Sequence, residues 1–144
     1  MTKKVAIVGC GRISKRHVEA ISANKGIEIA MVCDIDENKA QVLSKQLSVP
    51  YVTDYRNIKG VDIASILTPS GLHPAHAAEI AEYTDAPYIL CEKPLSLTVR
   101  EAYELFNRID RTKKILLPVY QNRYNPLVDF IKRLVDSGHL GKTY

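Results

Sequence analysis

The segment Val5-Ala6-Ile7-Val8-Gly9-Cys10-Gly11-Arg12-Ile13-Ser14 couples an unbroken apolar run to a glycine-bearing turn. Four consecutive apolar residues indicate a strand buried on both faces, as in a parallel sheet covered by helices. The turn matches G-x-G-x-x-(small), and a helical stretch from Ile13 to about Ala23 follows it. In that setting each position has a physical task. Gly9 permits the tight turn, Gly11 carries no Cβ to keep a pyrophosphate from the helix start, and a small Ser14 lets the helix lie close to the strand. The free backbone amides of the turn, which also contains Cys10, Arg12 and Ile13, would hold the anion together with the helix dipole. Ser14 departs from the usual Gly or Ala, a change expected to cost some packing but not the phosphate site.

The rest of the chain repeats this opening. Gly26 would end the first helix, and a second strand spans Ile27 to Cys33. Asp36 can cap a helix reaching about Leu47, and Tyr51-Val52-Thr53 reads as a short third strand. The fourth strand is Ile63 to Leu67. Pro69 ends it, and a helix starting near Pro74 presents the small residues Ala75, Ala77, Ala78 and Ala81 for close packing on a sheet. Tyr88 to Cys91 is the fifth strand, and Thr98-Val99-Arg100-Glu101 has the form of a capping box opening a helix to about Arg111. A sixth strand covers Ile115 to Tyr120, with Pro118 awkward for its middle. Asn125-Pro126 opens a last helix with Leu127, Phe130, Ile131, Leu134 and Val135 on one face and Gly138 as its stop; residues 139–144 then head toward a new strand. Strands alternating with helices imply an α/β fold with a doubly wound parallel sheet.

Composition narrows the function classes. The chain has 144 residues, 20 Lys+Arg against 16 Asp+Glu and a formal charge of +4, too even a mixture for the basic stripe that nucleic-acid binding requires. Its three cysteines, Cys10, Cys33 and Cys91, show no C-x-x-C spacing, which fits reduced thiols in the cytoplasm. All three fall near predicted strand ends at the crevice, where small side chains give clearance. No apolar run approaches the roughly 18 residues that span a bilayer. His73 and His76 are spaced i, i+3, but without a third ligand nearby no metal site is expected.

Asp34 stands at the end of the second strand, 20 residues beyond Ser14, where a carboxylate can accept hydrogen bonds from an adenosine ribose. No Arg or Lys follows it to meet a 2′-phosphate, so NAD is preferred over NADP. The alternative is a strand-end turn residue. Thr68-Pro69-Ser70-Gly71-Leu72-His73-Pro74 and Cys91-Glu92-Lys93-Pro94 both follow carboxyl ends of strands, the sheet edge where ligands bind in open α/β folds.

With the glycine turn, Glu92-Lys93-Pro94 makes the chain resemble the Gfo/Idh/MocA family of nicotinamide-dependent sugar and cyclitol oxidoreductases. Within that family, residues 9–17, Thr-Pro-Ser-Gly-Leu-His at 68–73 and Gln-Asn-Arg-Tyr-Asn-Pro at 121–126 are most similar to the UDP-N-acetyl-glucosaminuronate 3-dehydrogenases of lipopolysaccharide O-antigen synthesis. The resemblance covers the whole chain but only the first part of a family member. It implies a Rossmann-type NAD(P)-binding domain over residues 1–120, with residues 121–144 a connecting helix and the start of a truncated substrate domain. It further implies a nucleotide-sugar substrate, and a homo-oligomer is expected through the apolar surface that truncation would leave exposed.

By that resemblance Lys93 sits beside the nicotinamide and the reacting hydroxyl, where an ammonium can donate to the alcohol oxygen and stabilise alkoxide character. Taken alone, Lys93 would be a solvated lysine after a strand. Glu92, Thr68, Pro69, Leu72, His73 and Gln121 would line the cofactor side of the cleft; Thr68 to His73 could equally be a helix-start turn. Arg123 is either a contact for a substrate carboxylate or phosphate or an exposed structural arginine. His17 reads as a surface or helix-packing residue. Family members add an Asp-x-x-x-His pair from the second domain; Asp136-Ser137-Gly138-His139 is one residue short of it, so these 144 residues are expected to bind dinucleotide and catalyse little. The competing readings are another simple sugar or inositol dehydrogenase of the same family, and a non-catalytic dinucleotide-binding module.

Overall fold

The computed structural model describes residues 1–142. The elements run β1 (Lys3–Val8), α1 (Ser14–Ser22), β2 (Ile27–Cys33), α2 (Glu37–Leu47), β3 (Tyr51–Val52), β4 (Ile63–Ile66), α3 (His73–Tyr83), β5 (Tyr88–Cys91), α4 (Val99–Asp110), β6 (Ile115–Pro118) and α5 (Pro126–Asp136). All six strands are parallel, in the order β3-β2-β1-β4-β5-β6. The order reverses between β1 and β4, so a crevice opens at their carboxyl ends, the ligand-binding position of a Rossmann fold.

The apolar run of β1 has the physical reason that the sequence implied. Successive side chains point to opposite faces, and both faces are covered. Val5 and Ile7 pack with Val18 and Ile21 of α1 and Leu43 of α2; Ala6 and Val8 pack on the other side with Ile66, with Ala77, Ala78, Ile80 and Ala81 of α3, and with Leu105 and Ile109 of α4. Ala77, Ala78 and Ala81 are essentially fully buried, which lets α3 approach the sheet closely.

Side-chain caps start α2, α4 and α5. Asp36 accepts from the amides of Asn38 and Lys39, Asn125 accepts from Leu127, and Thr98 and Glu101 form the complete capping box. Gly26 does not end α1 as expected. That helix stops at Ser22, and the following turn is closed by the Asn24 side chain, which accepts from the Gly26 amide at 2.8 Å. Pro118 lies at the end of β6, an edge strand with no partner on its outer side, so its missing N–H costs the sheet little. After α5, residues 137–140 form turns. The strand expected over residues 139–144 is absent as far as Lys142, and its remainder, Thr143 and Tyr144, lies outside the described residues. No helix among the described residues is long and apolar enough to cross a membrane.

Candidate functional site

Three loops meet at the crevice: the turn after β1, the turn after β4 and the turn after β5. In the first, Gly9 has φ +102°, and a Cβ there would lie 2.9 Å from the carbonyl carbon and oxygen of Leu67. Only glycine fits where the loop crosses the end of β4. Gly11 is the opposite case, with nothing within 4 Å of its hypothetical Cβ, so the space above it is open. Ser14 is buried, and its hydroxyl donates to the Gly11 carbonyl at 2.7 Å, so the hydroxyl that departs from Gly or Ala is satisfied in place. No side chain caps α1, and the amides of Gly11, Arg12 and Ile13 have no protein acceptor among the described residues. Those free donors point from a helix start, the ordinary chemistry of an anion cradle.

Asp34 closes the other side of this cradle. One carboxylate oxygen accepts from the Cys10 amide at 2.7 Å and the other from the Asp36 amide at 2.9 Å. Two amides use about half of a carboxylate's four acceptor positions, so capacity for hydroxyl donors remains. Beside it Ile35 is 93% exposed, an apolar side chain where a cation would be needed to meet a phosphate. The sequence shows no basic residue there, and its one hint of the apolar surface is an isoleucine placed beyond the last buried position of β2. The dinucleotide cofactor implied by the fold is compatible with these groups: free amides, open space at Gly11 and a half-exposed carboxylate.

The turn after β5 begins with Glu92, whose amide extends the sheet by donating to Ile66. Its carboxylate is held by His17 of α1, with Nε2 and Oε1 2.9 Å apart, and accepts from the Lys93 amide at 2.9 Å through its other oxygen. His17 is therefore no surface residue, since its side chain is only 14% exposed. Lys93 is exposed, and its ammonium has no partner among the described residues. The Lys93-Pro94 peptide is cis.

In the turn after β4, Thr68 is half-buried and Pro69 and Leu72 are exposed toward solvent. His73 is turned inward instead, 1% exposed at the first position of α3, with both ring nitrogens on backbone carbonyls. Of its two expected placements, the structure gives the helix start. His76 reaches the Thr68 hydroxyl at 3.0 Å and lies against the Tyr55 ring, and burial pushes its pKa down. Among the described residues no cluster of three or more His, Cys, Asp or Glu could hold a metal. Gln121 and Arg123 lie in a 3-10 turn and, with Lys93, Pro94, Phe106 and Tyr120, line a depression of about 890 Å³; the Arg123 guanidinium sits 5.9 Å from the Tyr120 ring centre.

The cysteine thiols are unpaired and inert by environment. Burial pushes Cys10, Cys33 and Cys91 up to about 12, so almost no thiolate forms near neutral pH.

Residues 3–120 match the family model GFO_IDH_MocA, described as an oxidoreductase family with an NAD-binding Rossmann fold. The chain belongs to this family. A relative within reach is an uncharacterized oxidoreductase, YrbE, of Bacillus subtilis, 30% identical over 98% of this chain and 42% of its own length. The inositol 2-dehydrogenase of Salmonella typhimurium is 26% identical over 99% of this chain and 44% of its own. Among solved structures, the WlbA dehydrogenase of Bordetella pertussis, crystallised with NADH and UDP-GlcNAcA, superposes over the whole chain with a TM-score of 0.91 at 28% identity, using 45% of its own length. The chain thus spans less than half the length of these Gfo/Idh/MocA relatives.

Proposed function

We propose that this chain is the cofactor-binding part of an NAD-dependent dehydrogenase that removes hydride from a sugar hydroxyl carbon. The observation that carries the reading is the pairing of three free amides at the start of α1 with the Asp34 carboxylate across the same turn. The amides suit a diphosphate, and Asp34 suits the adenosine ribose. Exposed Ile35, with no cation in its place, favours NAD over NADP. A bound nicotinamide supplies the hydride acceptor. Lys93 is the residue assigned to catalysis: its unpaired ammonium donates to the substrate oxygen and stabilises negative charge as it develops there. Thr68, Pro69, Leu72 and Gln121 border the nicotinamide side, and Arg123 is placed to meet a carboxylate or phosphate of the substrate.

The substrate class we assign is a UDP-linked N-acetyl-glucosaminuronic acid. Support comes from the three sequence segments named above and from the likeness to a WlbA dehydrogenase crystallised with UDP-GlcNAcA. The inositol 2-dehydrogenase at 26% identity favours a cyclitol as the second reading. Three free cysteines suit a reducing, cytoplasmic location. We further assign a boundary near residue 120, after the sheet ends at Pro118, and self-association of the chain.

Calorimetric titration with NAD and NADP tests the cofactor reading. Asp34→Ser should weaken NAD about tenfold, the worth of a hydrogen bond to a charged group, with a smaller loss for NADP. Because Asp34 also holds the Cys10 and Asp36 amides, NADP is the internal control. A distorted loop would weaken both cofactors equally, and equal losses would refute the ribose assignment. Lys93→Met should leave the NAD titration unchanged.

A further inference from the structure

Lys93 is exposed and its ammonium has no partner among the described residues, yet both of its neighbours are pinned by histidines from different helices. On one side, His17 of α1 holds Glu92 Oε1 at 2.9 Å, while Glu92 Oε2 accepts the Lys93 amide at 2.9 Å. On the other, His73 of α3 reaches the Pro94 carbonyl through Nδ1 at 2.7 Å and the Thr68 carbonyl through Nε2 at 2.7 Å. We propose that His17 and His73 are positioning residues that clamp the Glu92-Lys93-Pro94 turn from its two ends.

His73 bridges the Pro94 and Thr68 carbonyls, so one ring spans the turn after β5 and the turn after β4. His17 has the other arrangement. Its Nε2 faces a carboxylate and must donate, whereas its Nδ1 lies 3.4 Å from the Ser65 hydroxyl, a group able to donate to it.

The arrangement fixes backbone and leaves chemistry free. Neither imidazole touches the Lys93 side chain, so each acts only through Glu92 or Pro94. Helix α1 also begins at the glycine turn, so the element that offers amides to a diphosphate is the one that sets the Glu92 carboxylate. The cofactor cradle and the Lys93 turn thereby share helix α1. The functional weight of this clamp rests on the reading of Lys93 given above.

The test uses the chain as it stands, labelled with ¹⁵N-histidine. Long-range ¹H–¹⁵N spectra should show His17 carrying a proton at Nε2, the nitrogen that faces the Glu92 carboxylate. An Nε2 without a proton overturns the contact of His17 to Glu92, and an unchanged exchange rate of the Lys93 amide in His73→Leu overturns the part of His73. Amide hydrogen exchange then reads the clamp directly. In His17→Leu the Lys93 amide should exchange about tenfold faster, while the amides of Ile7 and Ile66 in the sheet keep their protection. His17→Gln, which retains a donor near the Nε2 position, should restore Lys93 to within about threefold of the unaltered chain. Identical behaviour of the Leu and Gln variants, or no change at Lys93 in either, overturns the role of His17. These readouts need neither cofactor nor turnover. Turnover retained by Lys93→Met in the complete enzyme would therefore remove the catalytic reading and leave the exchange result intact, and the converse also holds.

Discussion

Gly9 and Gly11 are two residues apart and do different work, and the difference separates folding from binding. Gly9 combines φ +102° with an approach to the Leu67 carbonyl that no Cβ tolerates. Gly9→Ala should therefore cost about 2 kcal/mol or more and lower Tm by roughly 6 °C or more, measured by thermal circular dichroism. Gly11 has neither constraint, because its φ is not positive and no protein atom lies within 4 Å of the added carbon. Gly11→Ala should leave Tm within about 1 °C of the unaltered chain, since surface substitutions away from special backbone positions change little. Its NAD affinity should nevertheless fall by about tenfold or more, as the methyl group enters the space assigned to the diphosphate. Normal affinity in Gly11→Ala would show that the open space above the turn is not where phosphate sits. Both glycines were visible in the sequence motif; which one serves the fold and which the ligand was not, because the distinction depends on Leu67, brought alongside only by the pairing of β4 with β1. His17, His73 and Glu92 show the same limit. Their contacts bridge up to 75 positions in sequence, and no local pattern announces a bond of that span.

Among the elements, α4 shows most directly how a local rule survives into the structure. Thr98 accepts from the Glu101 amide at 3.2 Å, and Glu101 accepts from the Thr98 amide at 3.0 Å, so both orphan donors are met by residues three apart. Thr98→Ala should cost about 1 kcal/mol in urea unfolding, with an unchanged denaturant slope. A loss near zero would mean that packing of Leu105 and Ile109 alone sets the helix start. Caps, proline at helix starts and unbroken apolar runs are contained within a few residues, which is why α2, α4, α5 and all six strands could be located from sequence. Helix α1 ends within a residue of the expected Ala23, but the stop assigned to Gly26 lost to competition at short range. Gly26 offered a glycine stop, but the Asn24 side chain closes the turn first. The irregularity in β2 had no signal at all: Val5 pairs with Ile29 and Ala6 with Met31, so Ala30 is an extra residue in the ladder, set by the partner strand rather than by its own neighbours.

At the scale of the whole molecule, the sheet is covered on both faces near β1 and β4 but thinly toward β6. The face of α5 read from sequence as apolar is present, and the structure gives it no cover: Leu127, Phe130 and Ile131 are 65%, 51% and 48% exposed. Phe106 of α4 and Val128 of α5 border one depression and are exposed as well, and Ile115 and Leu117 are exposed on the edge strand β6. Contiguous apolar surface of this kind marks a contact site, and an open edge strand adds unpaired backbone groups to it. Electrostatic repulsion is too weak to keep copies apart, since the net charge of +4 is spread over 36 charged side chains of both signs, 20 basic and 16 acidic. The chain alone should therefore self-associate, with the weight-average mass by light scattering rising above 16.1 kDa as concentration increases. Phe130→Asp places a charge at the centre of the exposed α5 face without disturbing any buried contact, so it should shift this association toward monomer while leaving Tm unchanged. Monodisperse monomer at micromolar concentration, or association untouched by Phe130→Asp, would show that this face does not bring copies together.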